Sequence, residues 1–421
     1  MAAFSFSPQS HPRPRSPLPV FLFVPPSLLL LIPLLFGSLY LCFYHSSLSS
    51  PKPTKAFREL IAISSSVLAQ KANRPLQLSF STPRSSSTSP LPRLSKRLRR
   101  TDPWFNLLLP TARSRSFSGR AAKFFSGHSC KPRFFMTWIS LSELFGNREL
   151  FAIESLFKSH PKSCLLIVSN TMDSANGDQL LLPFRRRGFL VSAMWPDFPF
   201  LLKRTPAASW FDNLRRGAVH PGVYPLGQNL SNLLRLAVLY KYGGVYLDTD
   251  VLVMKSFSGL QNAIGAQSVD PVTGNWSRLN NAVMVFDEMH PLVHEFIQEF
   301  ALTFDGNKWG HNGPYLVSRV VTRVTGRMGF QFNVLPPEAF YPANWTMIKP
   351  LFRRRRGGMD SKWASEKLEC IRRRSFAVHL WNRESREMEI GEGSVIGRIM
   401  ADRCLFCSSS SMAEASSSQL D

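Results

Sequence analysis

Asp248 and Asp250 are the residues of this 421-residue chain whose type and spacing point most directly to chemistry. They close the run NLSNLLRLAVLYKYGGVYLDTD at residues 229–250. On an extended segment, residues two apart lie about 6.6 Å from one another at Cα and face the same way. Their carboxylates can then converge on one ion, and a hard divalent cation takes oxygen ligands at about 2.0–2.6 Å. Val245, Tyr246 and Leu247 read as a buried strand with both aspartates at its carboxyl end. The open end of a parallel sheet is where α/β proteins place ligands.

The elements that must position the pair come just before it. Leu230, Leu233, Leu234, Ala237, Val238 and Lys241 follow helical spacing. Gly243 and Gly244 stop that helix, because glycine accepts the positive φ of a C-terminal cap. Arg235 falls off the apolar stripe, where a guanidinium can face the aspartates. Elsewhere strand patterns at 134–140, 164–170, 188–194, 280–286 and 375–382 alternate with helical patterns at 147–160, 179–187, 210–214 and 290–304, and 309–324 enters another helix through a tight turn. That alternation implies an α/β fold, a mostly parallel sheet flanked by helices. No GxGxxG or GxxxxGK loop occurs, which disfavours an ordinary dinucleotide fold or a P-loop.

The formal charge of +23 suggests nucleic acid until it is located. Between residues 46 and 133 stand 17 Lys or Arg against two acids, Glu59 and Asp102, so +15 of the +23 lies in a Ser/Pro-rich stretch. That is a basic linker, and neither a zinc-finger nor an RNA-binding-sheet signature accompanies it. Residues 18–44 carry no charge and are long enough for a membrane span, with a cleaved signal or transit peptide as the other reading. The expected organisation is a cytosolic tail (1–17), a transmembrane signal-anchor (18–44), a Ser/Pro/Arg-rich stem (45–130), a catalytic domain (131–407) and a disordered tail (408–421).

Cys404 and Cys407 have metal or redox spacing, but one CxxC without partners is a weak zinc signal. In an oxidising lumen, one or two disulfides among the C-terminal cysteines are expected, with connectivity open. Asn229, Asn275 and Asn344 each begin a glycosylation sequon.

An Asp-x-Asp at a strand end suits a metal-dependent glycosyltransferase, a phosphatase of the haloacid-dehalogenase type, or a catalytically inactive scaffold or lectin-like domain. The phosphatase motif normally places Thr or Val where this chain has Leu252. The run SNLLR…LYKYGGVYLDTD, with GHNGP at 310–314 and AVHLWN at 377–382, resembles the α-1,4-glycosyltransferase family over residues 134–407. The resemblance implies a GT-A fold, a UDP-sugar donor carrying a hexose or N-acetylhexosamine, and Mn2+ or Mg2+. It also implies a glycan or glycolipid acceptor, retention of anomeric configuration and an α-1,4 linkage, in a single-pass type II Golgi membrane protein with a lumenal catalytic domain and no nucleic-acid partner. By position it makes Asp248 and Asp250 the metal pair, places Arg235 near the donor sugar or ribose, and offers His379 to the metal or diphosphate. His311, Asn312 and Gly313 fall at a helix start, and Asn280 and Asn281 can line the sugar pocket. Asn232 stands where the family pattern has aspartate. No nucleophile is identified; Asp287, Glu288 and Glu295 are generic candidates.

Overall fold

A computed structural model describes residues 105–127, 130–355 and 357–407. The expected tail, the span at 18–44, most of the stem and the residues after 407 lie outside the described residues. Among the described residues no helix is long and apolar enough to cross a membrane.

The strands are β1 (Arg133–Thr137), β2 (Cys164–Val168), β3 (Leu190–Met194), β4 (Gly244–Leu247), β5 (Val251–Val253), β6 (Ala263–Val269), β7 (Trp276–Phe286), β8 (Asn333–Leu335) and β9 (Ala377–His379). Seven of them form one sheet in the order β3-β2-β1-β4-β7-β6-β8, while β5 and β9 make a separate pair. Strands β3, β2, β1 and β4 are mutually parallel, as the alternation implies. Strand β7 covers the strand pattern read at 280–286, whose direction the pattern left open. It runs antiparallel to β4 and β6, so the sheet is mixed with parallel pairings in the majority. The reason is local: β6 and β7 are joined by a tight turn in which Asp270 Oδ1 accepts from the Val272 and Thr273 amides. A parallel partner would need a crossover of a dozen or more residues.

Side chains leave the two faces of the sheet by strict alternation. Phe135, Leu166, Tyr246 and Met284 join a core with the central helix, Leu226–Tyr242, and the helices Pro291–Thr303 and Pro314–Val324. Phe134, Leu165, Val245 and Val283 join the opposite core. Covered on both faces, these strands read as continuous apolar runs. The central helix is itself buried nearly all round, including Asn229, Asn232 and Arg235, so the single apolar stripe of the sequence reading understates it.

The segment 105–127 corrects the stem assignment. It forms short helices and a longer one, Phe117–Ser126, whose Phe117, Ala121 and Phe125 are part of the first core. Arg120 pairs with Asp173 at 2.6 Å, and a Cys130–Cys164 disulfide ties the next residues to the start of β2. Cys404 and Cys407 are bonded to each other. Neither β6, β8 nor the helix Gly358–Arg374 has a counterpart in the sequence reading.

Between β1 and the second core sits His160, 6% exposed, its Nε2 accepting the Phe257 amide at 3.2 Å. Burial lowers its pKa to about 4. Between about pH 6.5 and 4 the unfolded chain therefore binds a proton that the folded chain refuses, and stability falls as pH drops through that window. Urea denaturation at pH 7.5 and pH 4.5 is expected to show a loss of about 2.5 kcal/mol that His160→Gln lacks; equal pH slopes in the two proteins would contradict this.

Candidate functional site

Two glycines set the entry to the site. Gly243 has φ +59°, and a Cβ there would come 2.5 Å from the Glu288 amide nitrogen. Gly244 has φ +123°, and its Cβ would meet the Arg133 carbonyl oxygen at 2.4 Å. Only glycine lets the chain leave the central helix and slot β4 directly between β1 and β7. Tyr246 then faces the first core, and its hydroxyl donates to Asp248 Oδ1 at 2.7 Å.

The aspartates do not share one strand, as their spacing suggested. β4 ends at Leu247, residues 248–250 form a turn in which the Val251 amide donates to the Asp248 carbonyl at 3.2 Å, and β5 begins on a different sheet. Their convergence comes from what surrounds the turn. Strand β9 pairs antiparallel with β5, bringing His379 opposite Val251. His379 Nε2 lies 3.3 Å from Asp250 Oδ1. The Asn382 amide donates to Asp250 Oδ2 at 2.8 Å, and the Leu380 amide to the Asp250 carbonyl at 2.9 Å. Trp381, between them, adopts a left-handed conformation at φ +55°, which is costly for a non-glycine residue and clusters at functional sites. Ligand atoms of Asp248, Asp250 and His379 all lie within 4.8 Å of one another.

Arg235 holds the other side. Its NH2 is 3.0 Å from Asp248 Oδ1, its NH1 donates to the Asn281 carbonyl at 3.0 Å, and its guanidinium lies 4.6 Å from the Tyr246 ring centre. Ser231 accepts from the guanidinium, and Thr137 Oγ1 joins Ser231 Oγ at 2.6 Å to the Tyr246 hydroxyl at 2.7 Å. The ends of β1 and β4 and a face of the central helix are thus laced together beneath Asp248. Asn281 Nδ2 donates to Asn232 Oδ1 at 3.0 Å, and Gly313 packs on that amide so closely that a Cβ would stand 2.9 Å from its oxygen.

The charges respond to one another. Burial, with the neighbouring Asp250 adding to it, pushes the Asp248 carboxyl up against the pull of Arg235. Burial also opposes the Asp250 charge, but His379 and the Asn382 amide outweigh it and hold that carboxyl below its usual range. His379 is raised, because the attraction of both aspartates overcomes its burial. Its Nδ1 is buried without a hydrogen-bond partner. Two crowded carboxylates beside an imidazole with an orphaned nitrogen form a donor set that fits a divalent cation.

The structure brings together Asn232, Arg235, Asp248, Asp250, Asn281 and His379. His311 stands apart from them: its Nε2 bonds the Thr303 carbonyl at 2.8 Å, so its ring anchors a loop to the end of the helix Pro291–Thr303 and is not offered to the aspartates. Asp287 is exposed and takes the Asn262 amide, Glu288 is exposed, and Glu295 pairs with Arg323. Asn229 is 6% exposed with its oxygen bonded to Asn312, whereas Asn275 and Asn344 are exposed. Burial excludes Asn229 as a glycosylation site. Tyr246, Asn382 and Trp381 were not singled out from sequence. Tyr246 is visible only as the tyrosine two residues before Asp248, and the latter two only as the end of AVHLWN.

Residues 146–270 match the glycosyltransferase sugar-binding region containing the DXD motif, and residues 285–411 match the alpha 1,4-glycosyltransferase conserved region. A lactosylceramide 4-alpha-galactosyltransferase of Pongo pygmaeus is 30% identical over 217 residues, 49% of this chain and 91% of that protein. The chain belongs to the α-1,4-glycosyltransferase family. An uncharacterized protein of Arabidopsis thaliana is 33% identical over 304 residues, covering 70% of this chain and 45% of that longer protein, so the chain spans less than half of that relative. A human alpha-1,4-N-acetylglucosaminyltransferase is 25% identical over 221 residues, 49% of this chain and 58% of that one.

Removing Arg235 alone strands a partly buried carboxylate. Arg235→Met is expected to cost about 3 kcal/mol in urea denaturation, and adding Asp248→Asn to recover a substantial part of it. Strictly additive losses would show that the pair is not coupled.

Proposed function

We propose that this member of the family is a retaining glycosyltransferase. It moves a hexose or N-acetylhexosamine from a UDP-sugar to a glycan or glycolipid acceptor in α-1,4 linkage, on a GT-A fold. The observation that carries the reading is the convergence of Asp248, Asp250 and His379 beside the buried Arg235. The three would hold Mn2+ or Mg2+, which when bound neutralises the diphosphate of the departing nucleotide and acts as a Lewis acid and template.

The chain's own groups divide the remaining work. Asn382 and Leu380 amides fix the orientation of Asp250, and Arg235 with Tyr246 fixes that of Asp248. A carboxylate so held loses little freedom when it takes a ligand. The linked amides of Asn232 and Asn281 stand beside Arg235 as neutral groups able to bond sugar hydroxyls. Where the family pattern has aspartate, Asn232 removes one negative charge from this wall, which bears on the choice of donor. A phosphatase mechanism would need an aspartate free to attack phosphorus, and Asp248 is engaged by both Arg235 and Tyr246.

The Cys130–Cys164 and Cys404–Cys407 disulfides and the exposed sequons at Asn275 and Asn344 support a lumenal domain, in keeping with a Golgi type II protein anchored by residues 18–44.

Purified protein with Mn2+ is expected to release UDP slowly from a UDP-sugar, and Asp250→Asn to abolish both release and metal-dependent UDP binding. A wild-type protein that binds and hydrolyses no nucleotide sugar with any divalent metal sinks the enzyme reading. In cells, endoglycosidase is expected to shift the protein's mobility; Asn275→Gln and Asn344→Gln together should remove the shift, and Asn229→Gln should leave it intact. Protease sensitivity of the folded part in sealed vesicles would overturn the topology.

A further inference from the structure

Exposed aromatic residues outside the core clusters reach the loop that holds Asp250, through the contact of Trp309 with Arg383. Trp309 is 45% exposed and Tyr315 is 41% exposed, on either side of Gly310. Trp309 stands on the loop before the helix Pro314–Val324 and Tyr315 in that helix's first turn, and large aromatic side chains left side by side in water mark a contact surface.

The loop that carries Trp309 is rigid at its base. Gly222 and Gly306 pass so close that a Cβ on Gly222 would stand 2.0 Å from the Gly306 carbonyl carbon, and one on Gly306 would stand 1.8 Å from the Pro221 oxygen. The Tyr224 amide donates to the Gly306 carbonyl at 3.0 Å. Asn312 closes the loop, donating to the Asp305 carbonyl at 3.0 Å and accepting the Asp305 amide at 3.1 Å. It also donates to Asn229 on the central helix at 2.9 Å. A side chain on such a base is preorganised, so little conformational entropy is lost when it binds a ligand.

The tip reaches the metal-side loop. The Arg383 guanidinium lies 4.2 Å from the Trp309 ring centre, and Arg383 directly follows Asn382, whose amide holds Asp250. Tyr224 meets Trp309 edge-on at 5.5 Å. Arg278 lies over Tyr315 in the same manner at 4.3 Å. The result is a set of flat apolar surfaces bordered by guanidinium donors, one residue away from a group that orients the candidate metal ligand. Lys308 and Asp305, paired at 3.0 Å, make the immediate surroundings of Trp309 polar, which suits a compact hydroxylated ligand better than an alkyl chain.

We propose that Trp309, flanked by Tyr224 and Arg383, is the acceptor-side subsite and stacks the apolar face of a pyranoside. A pyranose has a face of C–H groups and a rim of hydroxyls; the indole covers the first and the guanidinium donates to the second. The assignment of this sugar as acceptor rests on the glycosyltransferase reading, whereas the binding of a pyranoside does not.

The test is saturation-transfer NMR of the full protein with the methyl pyranosides of glucose, galactose, N-acetylglucosamine and N-acetylgalactosamine, each alone and with UDP and Mn2+. Wild-type protein is expected to transfer saturation to the ring C–H protons of at least one glycoside. Trp309→Ala should weaken that binding about tenfold or more while melting at the wild-type temperature, and Trp309→Phe should restore most of it. No binding of any glycoside by wild type, or undiminished binding by Trp309→Ala, overturns the subsite. UDP binding by wild type with Mn2+, measured in parallel, reports on the donor reading separately: glycoside binding without UDP binding keeps the subsite and removes its role as acceptor.

Discussion

The buried contact between Arg235 and Asp248 constrains everything around it. A guanidinium 6% exposed is tolerated only when its donors are met, and here they are met by Asp248, the Asn281 carbonyl and Ser231. Each partner comes from a different element: the turn after β4, strand β7 and the central helix itself. Satisfying one side chain therefore fixes the relative placement of a helix and two strands. Tyr246 and Thr137 extend the same network to β1.

The site sits at a seam in the sheet. On one side β1 to β4 run parallel, with β4 on the opposite flank of β1 from β2 and β3, so the chain reverses its direction of winding there. Such a reversal leaves a crevice at the carboxyl ends of the strands. On the other side β7 runs antiparallel and presents the Ala282 carbonyl to the Asp248 amide at 2.8 Å. The aspartates thus leave the sheet where parallel order ends, and the small β5–β9 sheet takes over.

Local pattern and tertiary arrangement were legible to different degrees in the sequence. The helix ending at Gly243–Gly244, the strand that follows it and the core strands β1, β2 and β3 all follow from apolar periodicity and glycine, because each is decided within a few residues. The direction of β7 was not legible, because it depends on a turn chemistry at Asp270 that the apolar run itself does not carry. Arg235 was placed toward the aspartates for a partly mistaken reason: it lies off a single apolar stripe in the sequence, yet it is inside a helix buried nearly all round. The partner of the His311 ring was not legible, because a histidine beside a helix start serves a backbone carbonyl, here that of Thr303, as readily as a ligand. The helix Phe117–Ser126 was hidden by its basic, serine-rich context, since Arg120 pairs with Asp173 and Lys123 is exposed while Phe117, Ala121 and Phe125, with Phe124 partly buried beside them, face the core.

The β5–β9 pairing has a consequence in time. Val251 and His379 are adjacent in space, yet more than a hundred residues of chain separate them. During synthesis the sheet around β1, β2, β3 and β4 can form long before β9 leaves the ribosome. Until then the two aspartates lack their imidazole, Asp250 lacks the amide that orients it, and crowded negative charge is left on an open turn. Completion of the candidate metal cluster therefore waits on the last strand, and a polypeptide interrupted before it would lack His379 and the Asn382 amide.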